Sequence, residues 1–332
     1  MPRPQQSPTV SIIMPALNAA AFIDEALRSA LSQTFSDLEV IVADDGSTDE
    51  TLELARRWSA RDGRVRVLPS RGAKGVSAAR NRAMAAARGR YFAMLDSDDA
   101  WMPRFLAVQL AVFDQCTDAA IVAANAVSVG GPLDGHLYRP DTGRRQRLTF
   151  LDLIEREDAI GIMSVLRREV FEAIGGMDET IGHNEDYEFW LRAAAAGFVI
   201  IQTPEPLARY RRRADGASAD ELQMLDGIIK VLTRARGWCD GGEPEGRTER
   251  RAAERQAIDR QVARFARQAL AVRAKEALRR GDFATASTLF GQLARRDPRV
   301  LARLAAISAR IAPRSMWWAD RLRASMRRRS LR

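Results

Sequence analysis

Cysteine and histidine are almost missing from this 332-residue chain, which has two of each. Cys116 and Cys239 are far apart and show no CxxC spacing, which argues against a disulfide scaffold or a zinc site and fits a reducing compartment. The N-terminal MPRPQQSPTV has no apolar core of a secretory signal, and no uncharged apolar run approaches the roughly 20 residues that a spanning helix requires. We therefore expect a cytoplasmic protein without an integral membrane segment.

The positive charge of the chain is concentrated in its last third. Residues 1–220 contain 26 basic and 31 acidic side chains, a net charge of −5, whereas residues 221–332 contain 26 basic and 12 acidic ones, a net charge of +14. We predict a domain at 1–220 and a basic extension at 221–332, with an exposed linker at 237–250, which is rich in glycine and charge.

Short apolar runs alternate with helical patterns through the first part. The predicted strands are VSIIMPA (10–16), LEVIVADD (38–45), RVRVLPS (64–70), RYFAMLD (90–96) and AIVAANAVSV (120–129). Continuous rather than alternating hydrophobicity indicates strands that are covered on both faces. The alternation predicts an α/β fold with a mostly parallel sheet and helices on both faces. Ligands of such sheets bind at the carboxyl ends of the strands.

The extension is predicted to be helical throughout. Within it, residues 274–298 resemble one tetratricopeptide-type helix pair around Gly281-Asp282. One repeat is too few for a stacked array, which needs about three. We therefore expect an all-α helical cap.

The first acidic motif, DDGSTD, follows the strand LEVIVA. Gly46 allows a tight turn, and Ser47 or Thr48 can cap the next helix. Capping explains these residues and Asp49, but it does not explain the adjacent carboxylates of Asp44 and Asp45 where the ligand crevice should lie.

The second acidic motif, DSDD, follows the strand RYFAML. Asp96 and Asp98, separated by one residue in a loop, can both reach one hard divalent cation such as Mg²⁺ or Mn²⁺. The alternative is a solvated acidic turn. A Rossmann oxidoreductase is disfavoured, because the first strand-to-helix turn, PALNAA, contains no GxGxxG phosphate loop.

Six segments, in order, carry a resemblance to a known family. They are VSIIMPALNA (10–19), LSQTFSDLEVIVADDGSTDET (31–51), GVSAARNRAM (75–84), YFAMLDSDD (91–99), GGMDE (175–179) and NEDYEFWLR (184–192). The N-terminal 220 residues resemble a family 2 glycosyltransferase with the GT-A fold. The resemblance implies inverting transfer of a sugar from a nucleotide diphosphate, with a UDP-sugar as the leading donor, to a glycan or lipid-linked acceptor.

The resemblance implies donor-binding residues on several strands. Pro15, Ala16 and Asn18 would hold the base and ribose, Asp44 would contact a uracil-type ring, and Asp45 is its neighbour. Arg80 and Asn81 match a segment near the donor. Arg80 could neutralise phosphate or simply lie on a helix surface, and Arg71 and Lys74 are weaker diphosphate candidates.

The resemblance also implies the metal and the base. Asp98 would be the leading ligand of Mn²⁺ or Mg²⁺, and Asp96 would bind ribose or the water shell of the metal. Asp186 matches the catalytic base. Acids also suit the first turn of a helix, but Asn184 alone would serve as its cap. Glu185 and Trp190 are acceptor-side candidates, and burial in the core is the favoured alternative for Trp190.

The chain departs from the family in the segment Arg209-Tyr210-Arg211-Arg212-Arg213. Arg213 falls where many relatives have a histidine near metal or phosphate. Arginine does not ligate a metal, but it binds phosphate bidentately. We predict that Arg213 or Arg211 contacts the diphosphate.

The tail 313–332 has seven arginines, one acid and two adjacent tryptophans, Trp317 and Trp318. Such a segment favours peripheral contact with an anionic membrane surface, such as the inner face of the cell membrane, or is a solvated tail whose tryptophans pack on the helical cap. We expect no nucleic-acid partner, because no recognised binding motif accompanies the charge. The alternative function for the whole chain is a non-catalytic scaffold of the same fold that binds partners through its helical tail.

Overall fold

The computed structural model describes residues 7–70, 72, 75–213, 216, 219–239 and 248–296. One mixed sheet of nine strands organises the described residues, in the order β3-β2-β1-β4-β8-β6-β9-β5, with β7 paired to β9. The strands are β1 (Val10–Ala16), β2 (Leu38–Asp44), β3 (Val65–Leu68), β4 (Tyr91–Met94), β5 (Ala100–Trp101), β6 (Ala119–Val129), β7 (Gln146–Leu148), β8 (Ser164–Arg167) and β9 (Val199–Arg211).

The described helices follow the predicted alternation and then the predicted helical C-terminal part. They are α1 (Ile23–Leu31), α2 (Thr51–Arg61), α3 (Val76–Ala86), α4 (Phe105–Gln115), α5 (Phe150–Glu155), α6 (Arg168–Ile174), α7 (Glu185–Ala195), α8 (Glu221–Trp238), α9 (Thr248–Arg279) and α10 (Phe283–Arg296). None of the helices in the described residues is both long and apolar enough to cross a membrane.

The strands that end at the acidic motifs are parallel neighbours. Every residue of β1 and β2 is buried, as their continuous apolar runs predict, so both faces are covered. β1 pairs in parallel with β2 on one side and with β4 on the other. The carboxyl ends of these strands therefore lie along one sheet edge, and the loops that follow β2 and β4 emerge next to each other.

The sheet contains a strand that the alternation did not predict. β8 runs antiparallel between β4 and β6. Its four residues, SVLR, are too few to show a period, and its partners are distant in sequence. The predicted GT-A arrangement is thus a parallel half joined through β8 to a second half, in which β6 and β9 are again parallel.

The chain divides into two compact units, one ending at Ala263 and one beginning at Arg264. The first includes α8, which lies beyond the predicted boundary at residue 220; that boundary remains a prediction about function. α9 crosses from the first unit into the second, and within the second unit its C-terminal part and α10 form a helix pair around Gly281, which has a φ of 76°. Ala277, Phe290 and Leu293 lie in its small apolar core.

Candidate active site

The first acidic loop, residues 44–49, is held together by its own backbone. One Asp44 oxygen accepts a hydrogen bond from the Gly46 amide at 3.0 Å, and the other accepts one from the Ser47 amide at 3.2 Å. Asp45 accepts a hydrogen bond from the Gly75 amide at 3.0 Å. Both aspartates are buried. The Asp44 carboxylate thus stabilises the turn, and the Asp45 carboxylate joins this loop to the start of α3. Contact of either one with a nucleotide base remains a prediction.

The end of β1 is bound to the same loop. The Asp45 amide donates to the Ala16 carbonyl at 2.8 Å, and Asn18 accepts from the Thr48 amide at 2.9 Å with a positive φ of 48°. Five of the predicted donor-binding residues therefore form one cluster at the sheet edge: Pro15, Ala16, Asn18, Asp44 and Asp45.

The second acidic loop, residues 96–99, separates its three carboxylates. Asp96 accepts a hydrogen bond from Arg80 at 2.7 Å, and Asp98 lies 3.6 Å from the Arg213 guanidinium. Asp99 points into the protein, where one oxygen accepts from the Arg211 amide at 2.7 Å and the other has no hydrogen-bond partner. Burial raises the pKa of Asp98 and Asp99, and the charge of Asp96 raises both further. Two carboxylates of this loop are thus available to a ligand, and the third is structural.

A cavity of about 200 Å³ lies between this loop and the start of α7. It brings together six residues that the sequence predicted for the site: Arg80, Asp96, Asp98, Glu185, Asp186 and Arg213. The predicted metal-binding loop and the predicted base therefore face the same space.

Arg80 connects the two sides of the cavity. Its guanidinium donates to Asp96 at 2.7 Å and to Glu185 at 2.6 Å. The side chain is almost fully buried, so the expectation of a helix-surface arginine is wrong. A buried arginine held by two carboxylates stays charged, and it places a fixed positive charge between the second acidic loop and α7.

Asp186 lies in the first turn of α7 and lines the cavity. One of its oxygens accepts a hydrogen bond from the Tyr187 amide at 2.8 Å. Burial and the neighbouring charge of Glu185 raise the pKa of Asp186 to about 7, against the opposing effect of Arg80. The N-terminus of α7 favours the charged form of Asp186, which would lower its pKa. The effect of burial on this pKa outweighs the effect of the helix. A carboxyl group that titrates near neutral pH is well suited to accept a proton.

Asn184 is placed differently from the expectation, whereas Trp190 takes its favoured alternative place in the core. Asn184 does not cap α7; it adopts a left-handed backbone conformation, and its side chain donates to the Met224 carbonyl in α8 at 2.9 Å. Trp190 is fully buried and packs edge-on against Phe189, so it does not line the cavity. Its position one turn after Asp186 faces the protein interior, where a large aromatic side chain fills the core.

The arginines at the end of β9 approach the second acidic loop. Arg211 donates to the Asp98 carbonyl at 2.8 Å and to Glu25 at 2.7 Å, and the Arg213 guanidinium lies 4.9 Å from the Phe22 ring centre. Both arginines line the cavity beside Asp98. Contact with a diphosphate remains a prediction for either one.

Several cavity residues had no signal in the sequence. Tyr138, Gly161 and Met163 come from the segment 130–182, where motif spacing was least informative, and Tyr210 packs edge-on against Tyr138. His183, which received no predicted role, also lines the cavity. Neither periodicity nor a motif marks these residues as part of one site. Tyr138, Gly161 and Met163 reach the cavity through the pairing of strands that are far apart in the sequence.

Four sequence expectations lie wholly or partly outside the described residues. They concern Arg71, Lys74, residues 240–247 of the predicted linker and the basic tail 313–332. The described ends of that linker belong to α8 and α9.

The second acidic loop fits a hard divalent cation. Asp96 and Asp98 offer carboxylate oxygens to the cavity, and the raised pKa of Asp98 reflects a charge that a cation would stabilise. Within the described part of the chain, no group of three or more histidine, cysteine or acidic side chains is arranged to hold a metal. Phosphate oxygens and water would therefore complete the coordination, as is common for Mg²⁺.

The fold is shared with two solved structures. S. aureus TarS 1–349 in complex with UDP-GlcNAc has a TM-score of 0.62 at 19% identity, covering 89% of this chain and 83% of that one. The mannosyltransferase PcManGT from Pyrobaculum calidifontis, in complex with GDP-Man and Mn²⁺, has a TM-score of 0.59 at 21% identity, covering 95% and 90%. These likenesses confirm the predicted GT-A fold.

Sequence comparison gives the family. The model of Glycosyl transferase family 2 matches residues 11–175, which include β1 to β8 and both acidic loops. The chain is also similar to the UDP-Glc:alpha-D-GlcNAc-diphosphoundecaprenol beta-1,3-glucosyltransferase WfgD of Escherichia coli, with 31% identity over 231 residues, 67% of this chain and 85% of that protein. The chain therefore belongs to glycosyl transferase family 2.

Proposed function

We propose that this protein transfers a sugar from a nucleotide diphosphate to an acceptor hydroxyl with inversion at the anomeric carbon. The observation that carries the proposal is the single cavity in which Asp186 faces Asp96 and Asp98, with Arg80 between them. One side of the cavity is suited to a diphosphate with its cation, and the other side is suited to a proton acceptor.

The donor would extend from the first acidic loop to the second. The cluster of Asn18, Asp44 and Asp45 lies at the end of β2, and the loop of Asp96 and Asp98 follows β4, on the other side of β1. Asp96 and Asp98 would hold Mn²⁺ or Mg²⁺, which when bound supplies positive charge to the departing diphosphate. The Mn²⁺ complex of PcManGT and the UDP-sugar in the name of WfgD support this donor class, with a UDP-sugar as the first candidate.

Asp186 would act as the general base. A single carboxylate without an enzyme nucleophile suits a direct displacement, in which Asp186 takes the proton of the acceptor hydroxyl as that oxygen attacks the anomeric carbon. Its pKa of about 7 means that the rate should rise with pH through neutrality as the carboxylate forms. Glu185, which accepts a hydrogen bond from Arg80, lies beside the base.

The decisive experiment compares wild type with Asp186→Asn over pH 5.5–8.5, with UDP- and GDP-sugars and with Mn²⁺ or Mg²⁺. We expect turnover to fall by about 10²–10⁴-fold and the rise of the wild-type rate with pH to disappear, because the base is lost. Donor affinity, measured by calorimetry, should be retained. Full turnover of Asp186→Asn would contradict the assignment.

The acceptor would be a glycan or a lipid-linked glycan in cell-surface polysaccharide assembly. The name of WfgD gives a diphosphoundecaprenol-linked acceptor for that relative. For this chain we propose contact of the tail 313–332 with an anionic membrane. Sedimentation with anionic liposomes should recover the full chain and leave a variant that ends at residue 312 in solution.

The second candidate is a scaffold that retains the fold without catalysis and binds partners through its C-terminal helices. The intact carboxylates of the cavity disfavour it. Full function of Asp98→Asn and Asp186→Asn variants in cells would favour it over the transferase.

A further inference from the structure

The segment that leads into Asp186 is an irregular loop rather than a regular element. We call residues 175–184 the pre-α7 loop; it begins at Gly175 and ends at Asn184, both with a positive φ, of 76° and 63°. The Asp186 side chain accepts a hydrogen bond from the amide of the next residue, Tyr187. The direction of this carboxylate therefore depends on where the pre-α7 loop places the first turn of α7.

One face of α8 lies along this loop. Met224, Gly227, Lys230 and Arg234 are three, three and four residues apart, which places them on a single face of a helix. The Met224 carbonyl accepts from Asn184 at 2.9 Å, Lys230 donates to the Thr180 carbonyl at 2.8 Å, and Arg234 donates to the Thr180 hydroxyl at 2.9 Å. The loop is thus bound at several points along this face.

Gly227 of α8 packs closely against the end of the pre-α7 loop. A Cβ atom at this position would stand 2.5 Å from the Asn184 side-chain nitrogen and 2.9 Å from the His183 carbonyl oxygen. Glycine inside a helix costs about 1 kcal/mol relative to alanine. At Gly227 this cost has a structural reason, because only glycine leaves room for the Asn184 side chain. Gly237 in the same helix has no atom within 4 Å of such a Cβ.

The start of the loop is held by α3. The Asn81 carboxamide accepts from the Met177 amide at 2.8 Å and donates to the Met177 carbonyl at 2.8 Å. A Cβ on Gly176 would collide with the Asn81 oxygen. Asn81, matched in sequence to a donor-side segment, thus fixes the loop, and the loop is held between α3 and α8.

We propose that α8 positions the base, with Gly227 and Asn184 as the positioning residues. The contact at Gly227 keeps Asn184 in its left-handed conformation, and this conformation directs α7 so that Asp186 faces the cavity. The inference rests on the proposed role of Asp186. It adds that a helix beyond the matched family segment is required for the position of that side chain.

The test compares Gly227→Ala with Gly237→Ala in the full chain. A displacement of about 1 Å at a reacting group can lower turnover by about 10²-fold, so we expect Gly227→Ala to lose 10- to 100-fold in kcat. Its donor affinity should stay within about twofold of wild type, because Asp96, Asp98 and the first acidic loop are untouched. Gly237→Ala should match wild type in kcat and in donor affinity.

A second measurement does not depend on activity. Amide hydrogen exchange of peptides covering residues 180–188 should become faster in Gly227→Ala and remain unchanged in Gly237→Ala. Asn184→Gly, which tolerates the left-handed backbone but loses the bond to Met224, should show a smaller increase and a smaller loss of kcat. It also keeps the proposal testable should Gly227→Ala fail to fold.

The outcomes separate the two proposals. Unchanged kcat and exchange in Gly227→Ala, or in Asn184→Gly if that variant alone folds, would overturn the positioning role while leaving the proposed function intact. A wild-type chain that transfers no sugar from any donor would overturn the proposed function. In that case the exchange data would still decide whether α8 fixes the pre-α7 loop.

Discussion

The two acidic loops occupy equivalent places, after β2 and after β4, but their charges are met in different ways. In the first loop, Asp44 and Asp45 accept hydrogen bonds from backbone amides of Gly46, Ser47 and Gly75. In the second loop, Asp96 and Asp98 face guanidinium groups of Arg80 and Arg213. Backbone amides are fixed by the fold, and Arg80 is fixed by Asp96 and Glu185, whereas the Arg213 side chain beside Asp98 can move when a ligand enters.

This difference assigns different tasks to the loops. Asp44 stabilises the turn of the first loop and Asp45 joins that loop to Gly75 at the start of α3, so their removal should affect stability. In the second loop, burial and the charge of Asp96 raise the pKa of Asp98, so the charged form of Asp98 is unfavourable and a bound cation would stabilise it. Sites of this kind commonly cost stability in exchange for activity.

The largest expected effect is in the second loop. Asp98→Asn keeps the size of the side chain and removes its charge, and we expect kcat to fall by about 10²–10³-fold, since the leaving diphosphate loses electrostatic stabilisation. The measurement is turnover against Mn²⁺ concentration. The control is Asp118→Asn, which removes the charge of an exposed aspartate that pairs with Arg147 and does not line the cavity.

The stability of Asp98→Asn should not fall with its activity. Because the Asp98 charge is buried beside Asp96, its removal should leave the free energy of unfolding in urea unchanged or raised. If Asp98→Asn bound Mn²⁺ and turned over substrate like wild type, the two loops would not differ as described.

The next effect concerns Arg213, which faces Asp98. Arg213→Ala should weaken binding of a nucleotide diphosphate by about 10- to 100-fold. The reason is that a hydrogen bond to a charged group contributes about 1.5–3 kcal/mol. The control is Arg209→Ala, which removes an exposed arginine of β9 that pairs with Glu25. Calorimetry with UDP and Mn²⁺ gives the affinities. Equal affinities for wild type and Arg213→Ala would exclude this residue from the diphosphate site.

The sequence predicted the first half of the fold well because its signals are local. The run Val10–Ala16 is apolar at nearly every position and forms a fully buried strand with the predicted bounds. The acidic motifs were placed correctly at strand ends, because a strand that stops at aspartate and glycine is visible in any short window. β8 and the segment 130–163 were not predicted, since their places depend on partners far along the chain.

The direction of side chains was harder to predict than their neighbourhood. Asparagine is a common helix cap, yet the Asn184 side chain bonds to Met224 in α8. Arginine is common on helix surfaces, yet Arg80 is buried between two carboxylates. Both outcomes depend on tertiary contacts at a separation of 40 residues or more. Residue type and spacing do not carry that information.

A smaller effect is expected in the first loop and should appear in stability. Asp44→Ala removes both acceptors of the turn, so we expect a loss of about 1–3 kcal/mol in the free energy of unfolding. Asp44→Asn keeps one acceptor and should fall between wild type and alanine. Urea unfolding measures the series. If Asp44→Ala were as stable as wild type, the turn would not depend on this carboxylate.

The smallest effect tests the backbone of the first loop without touching a charge. Gly46 has a φ of 93°, in the region that side chains disfavour, so Gly46→Ala should cost about 1 kcal/mol in the free energy of unfolding. Gly63→Ala is the matched control, because a Cβ there meets nothing within 4 Å and its φ lies outside that region. Urea unfolding should separate the two variants. Equal stability of the two would mean that the first loop tolerates other turn conformations, and its carboxylates would then be as free to meet a ligand as those of the second.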